Sequence, residues 1–377
     1  MWLSAADALA RLGSKPQSLY ANVSRGRIRA KPDPSDSRRS LYREEDVDRV
    51  AHRSRGRRSA VATASEAISW GEPVLASAIS TVSGGRLYYR GKDATELAED
   101  ATLEDIAELL WGTPYRSSGQ PIEAQPSIQT LLSALAARIS DDPSSAGRGT
   151  VLLREDALSV FATALSALAG RGQGPAHIQL AAAFGRPDAA DALRRALVLL
   201  ADHELNASTF AARVTVSTGA ALSAGALAGL AALGGPRHGN AAPEVLALAE
   251  DIDAHPEAAE EALRDWLGER RAVPGFGHPL YPRGDIRCRA LLAAIDLPPA
   301  FVRLAEAGRA ILDEEPNVDF ALAVLASAYD LPREAPATIF ALARSVGWLA
   351  HGIEQATSGQ LIRPRARYVG PPIVTAS

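Results

Sequence analysis

The chain has 377 residues, of which 47% are hydrophobic and 22% charged, with a formal net charge of −4. This composition excludes a wholly disordered protein, and the length predicts two or three domains. A single cysteine, Cys288, excludes an internal disulfide and a cysteine-rich zinc site. The chain begins without a secretory signal, and its longest apolar run, from Leu222, is shorter than the ~20 residues of a membrane span. We therefore expect a cytoplasmic protein.

Charge is unevenly distributed along the chain. Residues 1–60 contain 14 Lys or Arg against 7 Asp or Glu, which leaves 26 against 37 in the remainder. A basic N-terminal part followed by an acidic body indicates two parts with different partners.

Residues 1–55 are predicted to form a small winged helix-turn-helix domain. A capped helix begins after Ser4, a second helix covers residues 15–26, a basic two-stranded hairpin follows, and a third helix begins at Arg43. This order resembles DNA-binding domains of the MerR or excisionase type, in which the second helix enters the major groove and the hairpin contacts phosphate. We predict DNA contacts for four arginines: Arg25, Arg27, Arg38 and Arg39.

We give equal weight to a second interpretation of these arginines. They can simply solvate a small domain, or the domain can dock on the body, since charge and pattern include no unique motif. Residues 56–69 are predicted to be a linker.

From residue 70 onward the chain is predicted to be all-α. Apolar residues recur every three or four positions in several segments. These segments cover residues 102–112, 156–170, 189–205, 320–331 and 340–355. The only strand-like run begins at Thr81, where two glycines predict a hairpin turn. Strands do not alternate regularly with helices, which argues against a Rossmann or TIM-barrel architecture.

Four segments interrupt this Ala/Leu-rich background with Gly, His, Arg or Asp. They are ADHELNAST at 201, GGPRHGNAAPE at 234, VPGFGHPLYPRGDIR at 273 and EEPNVDFALA at 314. Glycines beside His238 and His278 permit close approach of backbone to a ligand, and histidine can act as acid, base or hydrogen-bond donor near neutral pH. Alone, Asp319 would be an ordinary helix-start residue; His52 and His351 are assigned structural roles.

The same segments match no common metal or nucleotide motif. Their spacing differs from the HExxH zinc motif and includes no Walker loop. GGPRHG follows a helix and not a strand, so it is no dinucleotide fingerprint.

Taken in order, these segments resemble the citrate synthase family over about residues 70–375. The resemblance begins with GGRLYYRG at 84, runs through the four segments and ends in ARSVGW and IRPRARYVG. It implies a mostly helical two-lobed subunit and an obligate homodimer. The large lobe would comprise about residues 70–234 and 335–377, and the small lobe about residues 235–334.

The resemblance also implies an activity, the condensation of acetyl-CoA with oxaloacetate followed by thioester hydrolysis. It implies no metal, and no cofactor apart from the acyl-CoA substrate. Asp319 would take a proton from the acetyl methyl group, His238 would hydrogen-bond the enol oxygen, and His278 would donate to the oxaloacetate carbonyl. Oxaloacetate would also be bound by His203, Arg287, Arg344 and Arg363, the last of these reaching the partner subunit's site.

The sequence departs from the family pattern in two places. GNAAPE follows His238 where the family usually has GGAN, and Pro279 and Pro282 stand where the family has basic residues. We expect Arg283, one position later, to supply the missing charge toward the CoA phosphates.

Three functions remain open at this point. The first is a citrate synthase, or a 2-methylcitrate synthase that uses propionyl-CoA, with an appended DNA-binding-like module. The second is a transcription regulator whose synthase-like body senses oxaloacetate or CoA esters, and the third is a structural dimer. We favour the enzyme because clustered titratable groups are typical of functional sites. Acetyl and propionyl are not distinguished, since one methylene is worth only about 1–3 kcal/mol.

Overall fold

The computed structural model describes residues 2–12, 19, 22–23, 28–33, 36–48, 75–115, 125–170, 172–235, 238–239, 241–269, 273–366 and 368–371. The chain divides into two compact units, one formed by Met1–Ala76 with Ala366–Ser377 and the other by Ser77–Arg365. The boundaries expected from sequence for the linker and the two lobes stay predictions.

The first unit contains a three-stranded antiparallel sheet. Its elements are β1 (Trp2–Leu3), α1 (Ala5–Leu12), β2 (Ala30–Asp33) and β3 (Asp36–Arg43). β3 pairs with both β1 and β2, and residues 44–48 are helical. The predicted hairpin is present as β2 and β3, but it has a third strand, β1, where two strands were expected.

A small apolar core supports this unit. Ser4 caps α1 as expected, because its hydroxyl oxygen accepts from Asp7 N at 3.2 Å. The buried apolar residues are Leu3, Ala8, Leu12, Leu19, Ile28, Tyr42 and Val47. These residues come from α1, from the strands and from the segments between and after them, so the elements of this unit share one apolar core.

None of the four arginines expected to contact DNA has a described side chain. Arg25, Arg27, His52 and the linker at 56–69 are outside the described residues. Arg38 and Arg39 lie in β3, but their side chains are not described. The helix-turn-helix assignment stays a prediction.

The second unit opens with the expected hairpin. β4 (Ser80–Ser83) pairs antiparallel with β5 (Arg86–Tyr89), and β5 pairs with β6 (Lys92–Asp93). The turn glycines Gly84 and Gly85 have φ values of +60° and +80°, which only glycine adopts readily.

Helices follow throughout the rest of this unit. They are α2 (Ala94–Leu97), α3 (Leu103–Trp111), α4 (Ile128–Arg138), α5 (Thr150–Ala169), α6 (Ala176–Ala183), α7 (Ala190–Leu200), α8 (Ala207–Ser217), α9 (Leu222–Leu233), α10 (Ala242–Ala254), α11 (Ala259–Glu269), α12 (Ile286–Leu292), α13 (Pro299–Leu312), α14 (Val318–Ala328) and α15 (Ala335–Ser358). Two short 3-10 turns cover Pro187–Ala189 and Pro256–Ala258. The mostly helical body is confirmed.

The five helical segments predicted between residues 102 and 355 are all present as helices, but those at 189–205 and 320–331 were predicted too long. The segment at 189–205 becomes a helix that ends at Leu200, so the residues that carry His203 form a loop. Helix α3 has the expected beginning, since the side chain of Thr102 accepts from Asp105 N and the Asp105 side chain accepts from Thr102 N.

Helix α15 is the centre of the second unit. It is buried along most of its length and packs against α3, α5, α7, α8 and α9. Helices α10 to α14 pack mainly on one another. Within the described residues, no helix is both long enough and apolar enough to cross a membrane.

Candidate active site

The site begins where α7 ends. Side chains from elsewhere in the chain bind carbonyl groups of the last turn of α7, where helix carbonyls lack a full set of intrahelical partners. The Tyr89 hydroxyl lies 3.0 Å from O of Val198 and 3.2 Å from O of Leu199. Arg344 Nε donates to O of Leu200 at 2.9 Å. These contacts both end the helix and fix the guanidinium group of Arg344.

The loop after α7 is held from two sides. The carboxylate of Asp202 is fully buried, accepts from the Ser80 hydroxyl and lies 3.1 Å from His351 Nε2. The backbone N of Glu204, whose φ is +52°, donates to Ser80 Oγ at 2.9 Å. The β4 strand and helix α15 thus fix the loop that presents His203.

Two of the four segments found in the sequence pair with each other. Phe276 and Pro316 form an antiparallel bridge, and the Asn317 side chain then accepts from Asp319 N at 3.0 Å as the cap of α14. Because His278 and Asp319 follow shortly after the bridged residues, the pairing brings their segments together.

Asp285 joins two helix starts and holds Arg287. Its side chain accepts from Arg287 N at 3.0 Å at the start of α12, and from Val318 N at 3.1 Å at the start of α14. The carboxylate also forms a two-pronged pair with Arg287, with distances of 3.0 Å to Nε and 2.7 Å to Nη2. Burial alone would raise the pKa of Asp285, but the charge of Arg287 lowers it below its usual value.

Two buried arginines retain donors for a ligand. Arg287 is 2% exposed and Arg344 is 1% exposed. Among the described residues, both terminal nitrogens of Arg344 and Nη1 of Arg287 have no hydrogen-bond partner. Burial lowers the pKa of Arg344 to about 10, with the charge of Arg287 contributing. Two buried cations with unused donors favour an anionic ligand, and carboxylates suit guanidinium groups best.

His238 is anchored through one ring nitrogen. Its Nε2 lies 2.8 Å from the hydroxyl of Ser208 in α8, and that hydroxyl accepts from Trp348 Nε1 at 3.1 Å. The imidazole centroid lies 6.5 Å from the ring of Phe340. α8 and α15 therefore fix the ring of a histidine that follows α9.

Tyr281 connects two other histidines. Its hydroxyl lies 2.8 Å from His203 Nε2. The centroid of its ring lies 5.6 Å from that of His203 and 5.0 Å from that of His278, and the two imidazole centroids are 5.2 Å apart. The structure thus brings His203 and His278 together around one tyrosine.

The three site histidines are neutral near pH 7. Burial lowers the pKa of both His238 and His278 to about 4, with added repulsion from Arg344 and Arg287 respectively. Burial also holds the pKa of His203 well below its usual value, and the same arginines contribute. A neutral imidazole can still donate one hydrogen bond through N–H, so these rings suit donation to an oxygen that gains negative charge.

Asp319 has the properties of a base. Its Oδ1 is buried and has no hydrogen-bond partner among the described residues. Burial raises the pKa of its carboxyl from 3.8 to about 6, while the charge of Arg287 opposes the rise. A carboxylate that is destabilised in this way is a stronger proton acceptor and is still ionised at pH 7.

Two predicted site residues lie apart from this cluster. Arg283 is exposed in the turn before α12, and Arg363 is exposed in the segment that follows α15. That segment is anchored by Ile362 N, which donates to Ser217 Oγ at 3.1 Å. Neither arginine has a hydrogen bond to the buried cluster in the described part of the chain.

Four residues of the site were not expected from the sequence: Asp202, Ser208, Tyr281 and Asp285. All four lie inside the segments that the sequence singled out, next to or near predicted residues. Their roles depend on contacts between segments distant in the chain, so spacing alone does not reveal them. The sequence feature that could have identified them is a polar or aromatic residue close to a predicted site residue, as Asp202 is to His203.

A helical body that encloses neutral histidines, a buried carboxylate and two buried arginines with unused donors is typical of an enzyme that acts on a small polyanion. A family model described as "Citrate synthase, C-terminal domain" matches residues 128–365. The chain belongs to the citrate synthase family.

Individual relatives agree with this assignment. The chain is 32% identical to the citrate synthase of Mycolicibacterium smegmatis over 337 residues, which cover 76% of this chain and 89% of the relative. It is 29% identical to citrate synthase 2 of Bacillus subtilis over 350 residues, which cover 78% and 93% respectively. The crystal structure of citrate synthase from Thermotoga maritima MSB8 superposes with a TM-score of 0.67 at 30% identity, covering 81% of this chain and 96% of that one.

These similarities distinguish the first two functions considered from sequence. They support an acyltransferase of the citrate synthase type and not the sensory alternative.

Proposed function

We propose that this protein condenses acetyl-CoA or propionyl-CoA with oxaloacetate and then hydrolyses the thioester to release CoA. The single observation that carries the proposal is the buried cluster of Arg287, Arg344 and three neutral histidines beside Asp319. Family membership supports the reaction type.

Oxaloacetate is the substrate whose charge matches the two arginines. Its two carboxylates would accept from the unused guanidinium nitrogens of Arg287 and Arg344, and His203 would add a further hydrogen bond. This binding would compensate the buried charge of Arg344, which has no carboxylate partner among the described residues, and would use the free Nη1 of Arg287.

Asp319 would then remove a proton from the methyl carbon of acetyl-CoA. A thioester α-proton is a much weaker acid than a carboxylic acid, so the base needs help from the other side of the substrate. His238, held by Ser208, would donate to the thioester oxygen as it becomes enolic. A fixed donor at a developing oxyanion is commonly worth about 3–4 kcal/mol.

The enol carbon would attack the keto carbon of oxaloacetate while His278 donates to the carbonyl oxygen. A new carbon–carbon bond forms and the carbonyl oxygen becomes a hydroxyl group. Water then cleaves the thioester, which gives the tricarboxylate and free CoA. The proposal requires no metal ion and no cofactor apart from the acyl-CoA.

Two arginines outside the cluster complete the proposal. Arg283 would contact the CoA phosphates from its exposed turn, in place of the basic residues that Pro279 and Pro282 replace. Arg363 would reach the site of a partner subunit, so the active form would be a homodimer. The exposure of Arg363, in a segment that is neither helix nor strand, supports this role.

Thiol release tests the proposal. Purified protein should release free thiol only when both oxaloacetate and an acyl-CoA are present, and Asp319→Asn should lower the rate about 10²–10⁴-fold, because the variant loses the base but keeps its shape. Asp296→Asn, an exposed site on the same unit, is the matched control and should retain full rate. Folded protein that releases no thiol with acetyl-, propionyl- or butyryl-CoA would contradict the proposal.

A further inference from the structure

Tyr281 contacts three groups of the site at once. Its side chain is 2% exposed. Its hydroxyl lies 2.8 Å from Nε2 of His203, its ring centroid lies 5.3 Å from the guanidinium carbon of Arg287, and it packs against His278 at 5.0 Å. We propose that Tyr281 is a positioning residue of the oxaloacetate site, which fixes His203 through its hydroxyl and Arg287 through its ring.

The hydroxyl contact bears on the protonation of His203. A buried neutral imidazole has one N–H, and the partner of one ring nitrogen decides which nitrogen carries the hydrogen. Among the described residues, Tyr281 is the partner of Nε2, and Nδ1 has none. A phenol hydroxyl can donate or accept, but Nε2 is its only partner among the described residues. We therefore expect the hydroxyl to donate to Nε2, which fixes the ring orientation and leaves the imidazole hydrogen on Nδ1, available to a ligand.

The ring contact bears on Arg287. Its guanidinium group is already held by Asp285 through Nε and Nη2, and the aromatic face of Tyr281 covers the group from another side. A guanidinium group is attracted to an aromatic face, and two contacts of different kinds define its orientation better than one. The remaining nitrogen, Nη1, is then presented to a carboxylate in a fixed direction.

The two functions of Tyr281 are separable by substitution. Tyr281→Phe removes only the hydroxyl and keeps the ring on Arg287. Tyr281→Leu removes both contacts and still fills much of the buried volume. Tyr329→Phe, at the end of α14 and outside the cluster, controls for the loss of a tyrosine hydroxyl elsewhere.

The inference rests on the proposed function, and steady-state kinetics test it. Tyr281→Phe should raise the KM for oxaloacetate about tenfold, as expected for one hydrogen bond in a buried site. The KM for acyl-CoA and the kcat should stay within about twofold of wild type. Tyr281→Leu should raise the KM for oxaloacetate further, and Tyr329→Phe should leave it unchanged.

A spectroscopic measurement separates positioning from general support of the fold. In protein labelled with ¹⁵N-histidine, His203 should show the shifts of a single tautomer in wild type and averaged shifts in Tyr281→Phe. An unchanged KM for oxaloacetate together with unchanged ¹⁵N shifts in Tyr281→Phe would overturn the inference.

A failure of the proposed function gives a different result from a failure of this inference. If wild type releases no thiol, the proposed function is wrong and oxaloacetate binding is compared by calorimetry. Equal dissociation constants for wild type and Tyr281→Phe would then overturn the role of Tyr281, and a weaker constant for Tyr281→Phe would support it.

Discussion

At the scale of single residues, burial makes the carboxylate of Asp319 a stronger base. The same burial that raises its pKa to about 6 also disfavours the ionised form in the folded protein. Activity and stability should therefore respond to pH in opposite directions around this residue.

The activity should fall in acid because the ionised carboxylate of Asp319 is the proposed base. With a pKa of about 6, roughly a tenth of the molecules have an ionised Asp319 at pH 5, so kcat/KM should be about tenfold lower at pH 5 than at pH 8. A pH–rate profile in buffers of constant ionic strength measures this. A rate that stays constant down to pH 4 would exclude Asp319 as the base.

The stability effect has the opposite sign. The folded-state pKa lies above the ordinary value of 3.8, so the contribution of Asp319 to stability is present below about pH 4 and is lost as pH rises through 6. Asp319→Asn should therefore be more stable than wild type at pH 8, by up to about 3 kcal/mol, with a smaller gain at pH 5. Thermal unfolding at both pH values checks this, with Asp296→Asn as the control; a variant less stable than wild type at pH 8 would contradict it.

At the scale of secondary-structure elements, the close contact between α15 and the loop after α7 positions the site. Gly347 lies within α15, and its backbone N donates to O of Ala201 at 3.1 Å. A Cβ atom on Gly347 would lie 2.4 Å from Oδ1 of Asp202 and 2.5 Å from O of Ala201. Only glycine allows this approach, which brings Arg344 and His203 to the same place.

Gly347→Ala should separate the helix from the loop. We expect a loss of about 1–3 kcal/mol in the free energy of unfolding, as for other overpacked positions, and a higher KM for oxaloacetate. Gly268→Ala in α11 is the matched control, because nothing lies within 4 Å of its Cβ position and alanine favours a helix by about 1 kcal/mol over glycine. A Gly347→Ala protein with the wild-type melting temperature and KM would show that the contact does not position the site.

Helix α7 and Tyr281 show how much of the structure the sequence alone predicts. Periodicity finds the helices, because apolar residues at three- and four-residue spacing are a local property. It extends α7 to 205 in error, since the end at Leu200 is set by the Tyr89 hydroxyl and Arg344 Nε, which come from distant parts of the chain. Tyr281 is missed for the same reason, because its contact with His203 joins segments 78 residues apart.

At the scale of the whole molecule, charge separates two units with different proposed roles. The basic residues of the first 60 positions suit phosphate, whereas the buried arginines of the body are proposed to bind a small diacid. DNA binding by the first unit stays a proposal that rests on this excess of positive charge and on the order of its elements.

Retention on double-stranded DNA tests that proposal. Full-length protein should be retained at low salt and released as salt rises, because phosphate binding displaces counterions. Protein lacking residues 1–60 should pass through the column while it still releases thiol at the wild-type rate. Equal retention of the two proteins, or none at low salt, would show that the first unit does not bind DNA.

The central claim concerns the new carbon–carbon bond, which product analysis tests most directly. Purified protein is incubated with oxaloacetate and acetyl-CoA labelled with ¹³C at both acetyl carbons, and the acids are identified by mass spectrometry. The expected result is citrate two mass units heavier than unlabelled citrate, formed in equal amount to free CoA and formed at least about 100-fold more slowly with Asp319→Asn. Release of CoA with labelled acetate and no labelled citrate would contradict the proposed function.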